Sequence, residues 1–310
     1  MKTAIVAGVV VLLVAALAYA LWTPDQTRAA LEAKYLQAPG DMVDVAGWRL
    51  HVRDSGPKNA PAVILLHGFG ASLHTWEPWA QALACEHRVI RFDLPGSGLS
   101  APDPNRDYTD ARSLQLIVAL MDQLGVPRAS FIGNSIGGRI AWAFAARHPD
   151  RVDKLVLVSP DGFASPGFVY GKAPEVPAAL KLMRYVLPEP VLRMNLKPAY
   201  ADPAALTDAL AKRYHALMLA PGAREAMLAR MRQTVLVDPL PLLRSIRAPT
   251  LLVWGEADAM IPFPNSADYL GAIPGARLVP IAGVGHLPHE EAPERSLVPV
   301  AAFLGPGLPG

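Results

Sequence analysis

Short, almost wholly aliphatic runs recur after Pro61: AVILLHG, HRVIRFD, RASFIGNS, VDKLVLVSP, PTLLVWGE and ARLVPIAG. A run of that length and uniformity suits a strand buried on both faces, since a strand with one wet face alternates apolar and polar residues. Between most of the runs lie stretches with helical spacing, such as SLQLIVALMDQLG and GRIAWAFAARHP. Apolar strands alternating with helices specify an α/β fold, a mostly parallel central sheet covered by helices on both faces. Upstream, MVDVAGWRLHVRDSG alternates apolar and polar residues on either side of Ala46-Gly47, which predicts a hairpin. The rhythm breaks once, from Asp161 to Arg247, where Pro, Met, Leu and Ala abound without a convincing strand. A structureless loop of that size is unusual in a compact domain, so the interval reads as an inserted helical subdomain.

With 310 residues, 52% hydrophobic and 18% charged, the chain can bury one large core. Lys plus Arg number 29 against 27 Asp plus Glu, a net charge of +2, and no basic run could track a phosphate backbone. Nucleic acid is excluded as a partner. The single cysteine, Cys85, rules out an intramolecular disulfide and reads as a small buried apolar residue. After Met1 and Lys2 comes TAIVAGVVVLLVAALAYALW, uncharged and about 20 residues long, enough to cross roughly 30 Å of hydrocarbon as a helix. AYA at 18–20 also resembles a signal-peptidase site, but the apolar run is longer than a signal peptide's, which favours an uncleaved anchor. The folded domain is then expected outside the inner membrane, or periplasmic or secreted if cleavage occurs near Ala20. Thr23, Pro24 and Gln26 read as a helix start, with the helix running to about Gln37. The expected organisation is an anchor or signal segment at 1–22, a short helical linker at 23–40, a core at 41–160 and 248–310, and the helical insertion at 161–247.

FIGNSIGG, residues 131–138, sets Ser135 between glycines after a strand and before a helix. That context is a nucleophile elbow, a sharp strand-to-helix turn that lifts the hydroxyl above the sheet. A serine hydroxyl is a weak nucleophile at neutral pH and needs a base and a group orienting that base. LLVWGEAD supplies Asp258 just beyond a late strand, and IAGVGH supplies His286 beyond the next, in the order Ser, acid, His. Glu256 and Asp238 are alternative acids in less suitable positions. The oxyanion formed on attack should meet the amide of Ile136 and a second amide from the loop after an early strand, where LLHGFG ends one. His286 and His289 lie three apart without a third ligand, so no metal is expected. Met183, Met194, Met218, Met227 and Met231 could line an acyl pocket or simply fill an irregular core. Trp76, Trp79 and His74 read as anchors of the next helix.

Through His67-Gly68-Phe69-Gly70, DLPGSGLS, GNSIGG, GEAD and GVGH, the chain from about Met42 to Leu304 resembles the α/β-hydrolase superfamily. The resemblance implies that the second oxyanion donor is the amide of Phe69, that His67 supports its loop, and that the insertion is a cap. Members that open haloalkanes or epoxides carry Asp at the elbow, where this chain has Ser135. GNS and HTWEPWA resemble hydrolases that split carbon–carbon bonds of aromatic ring-cleavage products, yet those commonly place Trp after the catalytic His, and here stands Leu287. The expected activity is therefore cofactor-free hydrolysis of a small, lipophilic carboxylic ester, as by a carboxylesterase or small lipase. Carbon–carbon hydrolysis on the same triad is the alternative, and a non-catalytic binding protein on this fold is a third reading, against which the intact triad argues.

Overall fold

The computed structural model describes residues 19–164 and 169–306, together with 6, 9, 12 and 16. Every aliphatic run forms a strand: β3 (Ala62–Leu66), β4 (Arg88–Phe92), β5 (Ala129–Asn134), β6 (Val152–Val158), β7 (Thr250–Gly255) and β8 (Arg277–Ile281). The expected hairpin precedes them as β1 (Met42–Val45) and β2 (Trp48–Ser55). Its two turn residues, Ala46 (φ 45°) and Gly47 (φ 90°), have the positive φ that a tight turn matched to strand twist requires. The eight strands run in the order β1-β2-β4-β3-β5-β6-β7-β8. The β1–β2 and β2–β4 pairs are antiparallel, and all others are parallel.

The uniform apolarity of the strands reflects two separate cores. Ile64 pairs with Ile90 and Phe131, and these side chains meet Ile117, Leu120, Ile140 and Phe144 on one face of the sheet. Their neighbours Val63, Val89 and Ile132 point to the other face, against Trp76, Trp79, Val300 and Leu304. Each such aliphatic side chain taken from water contributes about 1.5–3 kcal/mol. The helices are α1 (Arg28–Tyr35), α2 (Glu77–Leu83), α3 (Asp110–Gln123), α4 (Ile136–Arg147), α5 (Ala178–Lys181), α6 (Glu189–Leu196), α7 (Asp208–Met218), α8 (Ala223–Gln233), α9 (Leu240–Arg244), α10 (Ser266–Ala272), α11 (Pro288–Glu291) and α12 (Pro293–Leu304). Helices α5 to α9 occupy the interval between β6 and β7, which has no strand among the described residues. Arg139 on α4 binds both ends of that interval. Its guanidinium pairs with Asp161 at 2.6 Å and Asp110 at 3.0 Å, and donates to Thr234 Oγ1 at 3.5 Å.

Three expectations are corrected. The helix expected from Thr23 starts at Arg28 instead, because Thr27 caps it by accepting from the Ala30 amide. Thr23 is used elsewhere: its amide donates to Tyr185 O at 2.9 Å and its hydroxyl accepts from the Leu187 amide at 3.0 Å. With Gln26 N donating to Leu219 O and Arg224 paired to Asp25 at 2.6 Å, the segment 23–26 is fastened to the helical insertion rather than coiled into a helix. Cys85 is exposed, since it lies in the turn that ends α2 and not on the helix's buried side. Finally, among the described residues no helix is long and apolar enough to cross a membrane. Most positions of the stretch that raised the anchor, from 1 to 18, lie outside the described residues. The anchor, and the placement outside the inner membrane or after cleavage near Ala20 that rested on it, lose their support.

Candidate active site

β5 ends at Asn134, α4 begins at Ile136, and Ser135 alone makes the turn between them. Its backbone sits at φ 55°, ψ −121°, a region that costs a non-glycine residue about 1–3 kcal/mol. The surroundings hold it there: Ser135 N donates to Val158 O, and its carbonyl accepts from the Arg139 and Asp161 amides. So tight a turn admits no side chains beside it. A Cβ on Gly133 would lie 2.3 Å from Gly137 O, and one on Gly137 would lie 2.3 Å from Leu66 O. The glycines of the motif are thus required by close approach of backbone to backbone.

Asp258 and His286 follow β7 and β8 and are both buried. His286 Nδ1–H donates to Asp258 Oδ2 at 2.8 Å, while Asp258 Oδ1 accepts from the amides of Met260 (2.8 Å) and Ile261 (2.9 Å). The carboxylate is thereby oriented, and the imidazole's Nε2 is left free to take a proton. Of the other acids considered, Asp238 accepts from the Leu240 amide in the α9 turn. Ser135 and His286 line one cavity of about 80 Å3 with Gly68, Phe69, Ala71, Asn134 and Leu287, and with Leu196, Ala199 and Tyr214 of the insertion. Ile136 opens α4, where an amide has no intrahelical acceptor. Phe69 lies on the loop after β3, with its side chain partly exposed.

The loop bearing Phe69 is braced by neutral histidines. Buried His67 donates from Nδ1 to Gly68 O at 2.8 Å and accepts from the Leu94 amide at Nε2, 3.0 Å away, and burial lowers its pKa. His74 hydrogen-bonds Ser72 and Tyr35 O, and burial lowers its pKa to about 4. Asp93 accepts from the amides of Leu73 and Leu99 and binds His51 Nδ1 at 2.8 Å. Burial alone would raise the Asp93 pKa, but the adjacent His51 holds it well below the usual carboxylate range. Trp76, Trp79 and His74 anchor this region as expected, with Trp76 stacked on His289 at 4.0 Å. His289 in turn hydrogen-bonds Thr75 Oγ1 at 3.0 Å.

Of the five methionines considered, Met218 and Met227 line a cleft beside the cavity, and Met194 is exposed; the cavity itself holds Met260. Asn134, in the elbow motif, has a task that the motif alone does not reveal. Its Nδ2 donates to Val158 O and His286 O, 3.1 Å each, joining the elbow to the histidine loop. Tyr214 also went unread, because nothing in the sequence relates α7 to the strand ends.

A family model for the α/β-hydrolase fold matches residues 61–293. A 2-hydroxy-6-oxo-6-phenylhexa-2,4-dienoate hydrolase of Comamonas testosteroni is 30% identical over 78% of this chain and 86% of its own. The solved meta-cleavage product hydrolase of Pseudomonas fluorescens IP01 is 27% identical with a TM-score of 0.72, covering 84% of this chain and 96% of that one. A solved membrane phospholipase A, described as a bacterial virulence factor, is 25% identical with a TM-score of 0.71 over 98% of each chain. The expectation of a carboxylesterase or small lipase is corrected by the curated relatives, several of which are about 30% identical and named for 6-oxo-dienoates rather than esters. Leu287 in place of tryptophan does not separate the chain from these relatives. The sheet order, the helices on both faces and the match over 61–293 agree: the chain is a hydrolase and belongs to the α/β-hydrolase family.

Proposed function

We propose that this enzyme hydrolyses a carbon–carbon bond beside a ketone, in a substrate of the 6-oxo-dienoate class, through an acyl-enzyme on Ser135. The observation that carries the chemistry is the strained Ser135 turn opening on the same cavity as the Asp258–His286 pair. The names of the relatives supply the substrate class. A carbon leaving group departs only if its electron pair is delocalised. In a 2-hydroxy-6-oxo-dienoate, moving the 2-hydroxyl proton to C5 creates a C2 carbonyl conjugated through C3=C4 to the leaving carbon.

Ser135 Oγ then bonds to C6 while its proton passes to His286 Nε2, and Asp258 stabilises the imidazolium. The C6 oxyanion lies against the amides of Phe69 and Ile136. As the carbonyl re-forms, the C5–C6 bond breaks, its pair flows to the C2 oxygen, and His286 returns the proton to the dienolate. Water, deprotonated by His286, releases the acid and restores Ser135. The sum is one ketone plus one water giving a carboxylic acid and a 2-hydroxy-dienoate. No cofactor takes part.

The insertion at 161–247 is read as a cap, since Asn195, Leu196, Ala199 and Tyr214 reach the cavity from it, and the core is read as 41–160 with 248–310. Incubating the purified protein with 2-hydroxy-6-oxo-6-phenylhexa-2,4-dienoate and following loss of the dienolate absorbance tests the reading. Benzoate and 2-hydroxypenta-2,4-dienoate should form in equal amounts. A protein that leaves this substrate and its 6-alkyl analogues intact while cleaving p-nitrophenyl or glycerophospholipid esters would overturn it.

A further inference from the structure

A cavity of about 80 Å3 is much smaller than the roughly 300–1,000 Å3 of clefts that hold small-molecule ligands, so some wall must yield to admit a substrate. Which wall stays fixed is decided by α11, two residues beyond His286. Glu290 on that helix is 4% exposed, and its carboxylate serves the insertion alone: Oε2 accepts from the hydroxyls of Tyr200 and Tyr214, each at 2.8 Å, and Oε1 pairs closely with Arg213. Parallel ties run beside it. His286 N donates to Ala199 O at 2.8 Å, and Glu291 accepts from Asp202 N and Gly285 N, both at 2.7 Å. Phe69 (41% exposed) and Met260 (54% exposed) also border the cavity and are packed far less.

We propose that Glu290 is a positioning residue that locks the Ala199–Tyr214 wall of the cavity to the loop carrying His286, so that the cavity yields at its exposed residues Phe69 and Met260 and the fixed wall sets substrate fit. The inference rests on the reading of Ser135 as nucleophile for its kinetic arm only. Burial and the adjacent carboxylate raise the pKa of both Tyr200 and Tyr214, which keeps the phenols as donors at any working pH. Arg213, whose guanidinium would otherwise leave a free positive charge behind Tyr214, is consumed by the same carboxylate.

The test compares wild type with Glu290→Gln, which presents an amide N–H2 group to Arg213, and with the double variant Glu290→Met/Arg213→Met, which removes both buried charges at similar volume and guards against misfolding. Hydrogen–deuterium exchange of the 199–214 segment should quicken at least tenfold in both variants while β3, β5 and β6 keep wild-type protection. KM for a 6-aryl dienoate should rise about tenfold with kcat within about threefold, and Ser135 should react with a small phosphonofluoridate within about threefold of the wild-type rate. Unchanged exchange at 199–214 in the folded variants overturns the proposal. So does an equal large fall in kcat and in small-probe labelling, which would place Glu290 in the chemistry instead of the wall. If wild type neither turns over the dienoate nor labels at Ser135, the proposed function fails, and the exchange measurement still decides the role of Glu290.

Discussion

On the proposed mechanism Ser135, held in the strained turn, is the nucleophile. Ser135→Ala should therefore reduce turnover on the order of a million-fold, as in serine enzymes generally, and adding His286→Ala should cost little more, since the residues act as a unit. Asp258→Asn should lose about ten-thousand-fold by favouring the wrong imidazole tautomer. Steady-state rates of the folded variants check both. The buried histidines make a separate prediction about stability. His74 titrates at about 4 in the folded chain against roughly 6.5 when unfolded. Between those values the unfolded chain binds the extra proton, so stability is full above about pH 6.5 and falls as pH drops toward 4. Melting temperature measured across that window should decline, and His74→Gln should flatten the slope.

Elements differed in how plainly the sequence announced them, and the difference is physical. β3 to β8 were legible because burial on both faces demands unbroken apolar runs, and the hairpin because its turn needs positive φ at Ala46 and Gly47. Helix α1 was misplaced because Thr23-Pro24 carries a local start signal that contacts with Tyr185 and Leu187 override. That Ser135 and His286 line one cavity, with Asp258 hydrogen-bonded to His286, follows from their positions at strand ends. The Tyr214–Glu290 contact, 76 residues apart, was not, since no periodicity links α7 to α11. At this scale the elbow offers a sharp test. Gly137→Ala would set a Cβ at 2.3 Å from Leu66 O, so β3 and α4 must separate. We expect a loss of about 3 kcal/mol or more, read as a shift of the urea midpoint, or failure to fold.

For the molecule as a whole, Arg139 is one of the side chains that join the insertion to the core. Its side chain is 4% exposed and carries both Asp161, where the chain leaves β6, and Asp110 on α3. Replacing it by Met strands two carboxylates and should cost about 3 kcal/mol, with proteolysis between 161 and 247 accelerated before the core is cut. The segment 23–26 is fastened at the far side of the insertion, with Asp25 held by Arg224, 199 residues later in the chain. During synthesis the Asp25 carboxylate has no ion-pair partner until Arg224 on α8 leaves the ribosome. At about 5–20 residues per second, that carboxylate waits on the order of 10–40 s, a window in which a basic group of a chaperone or a targeting factor meets it unpaired.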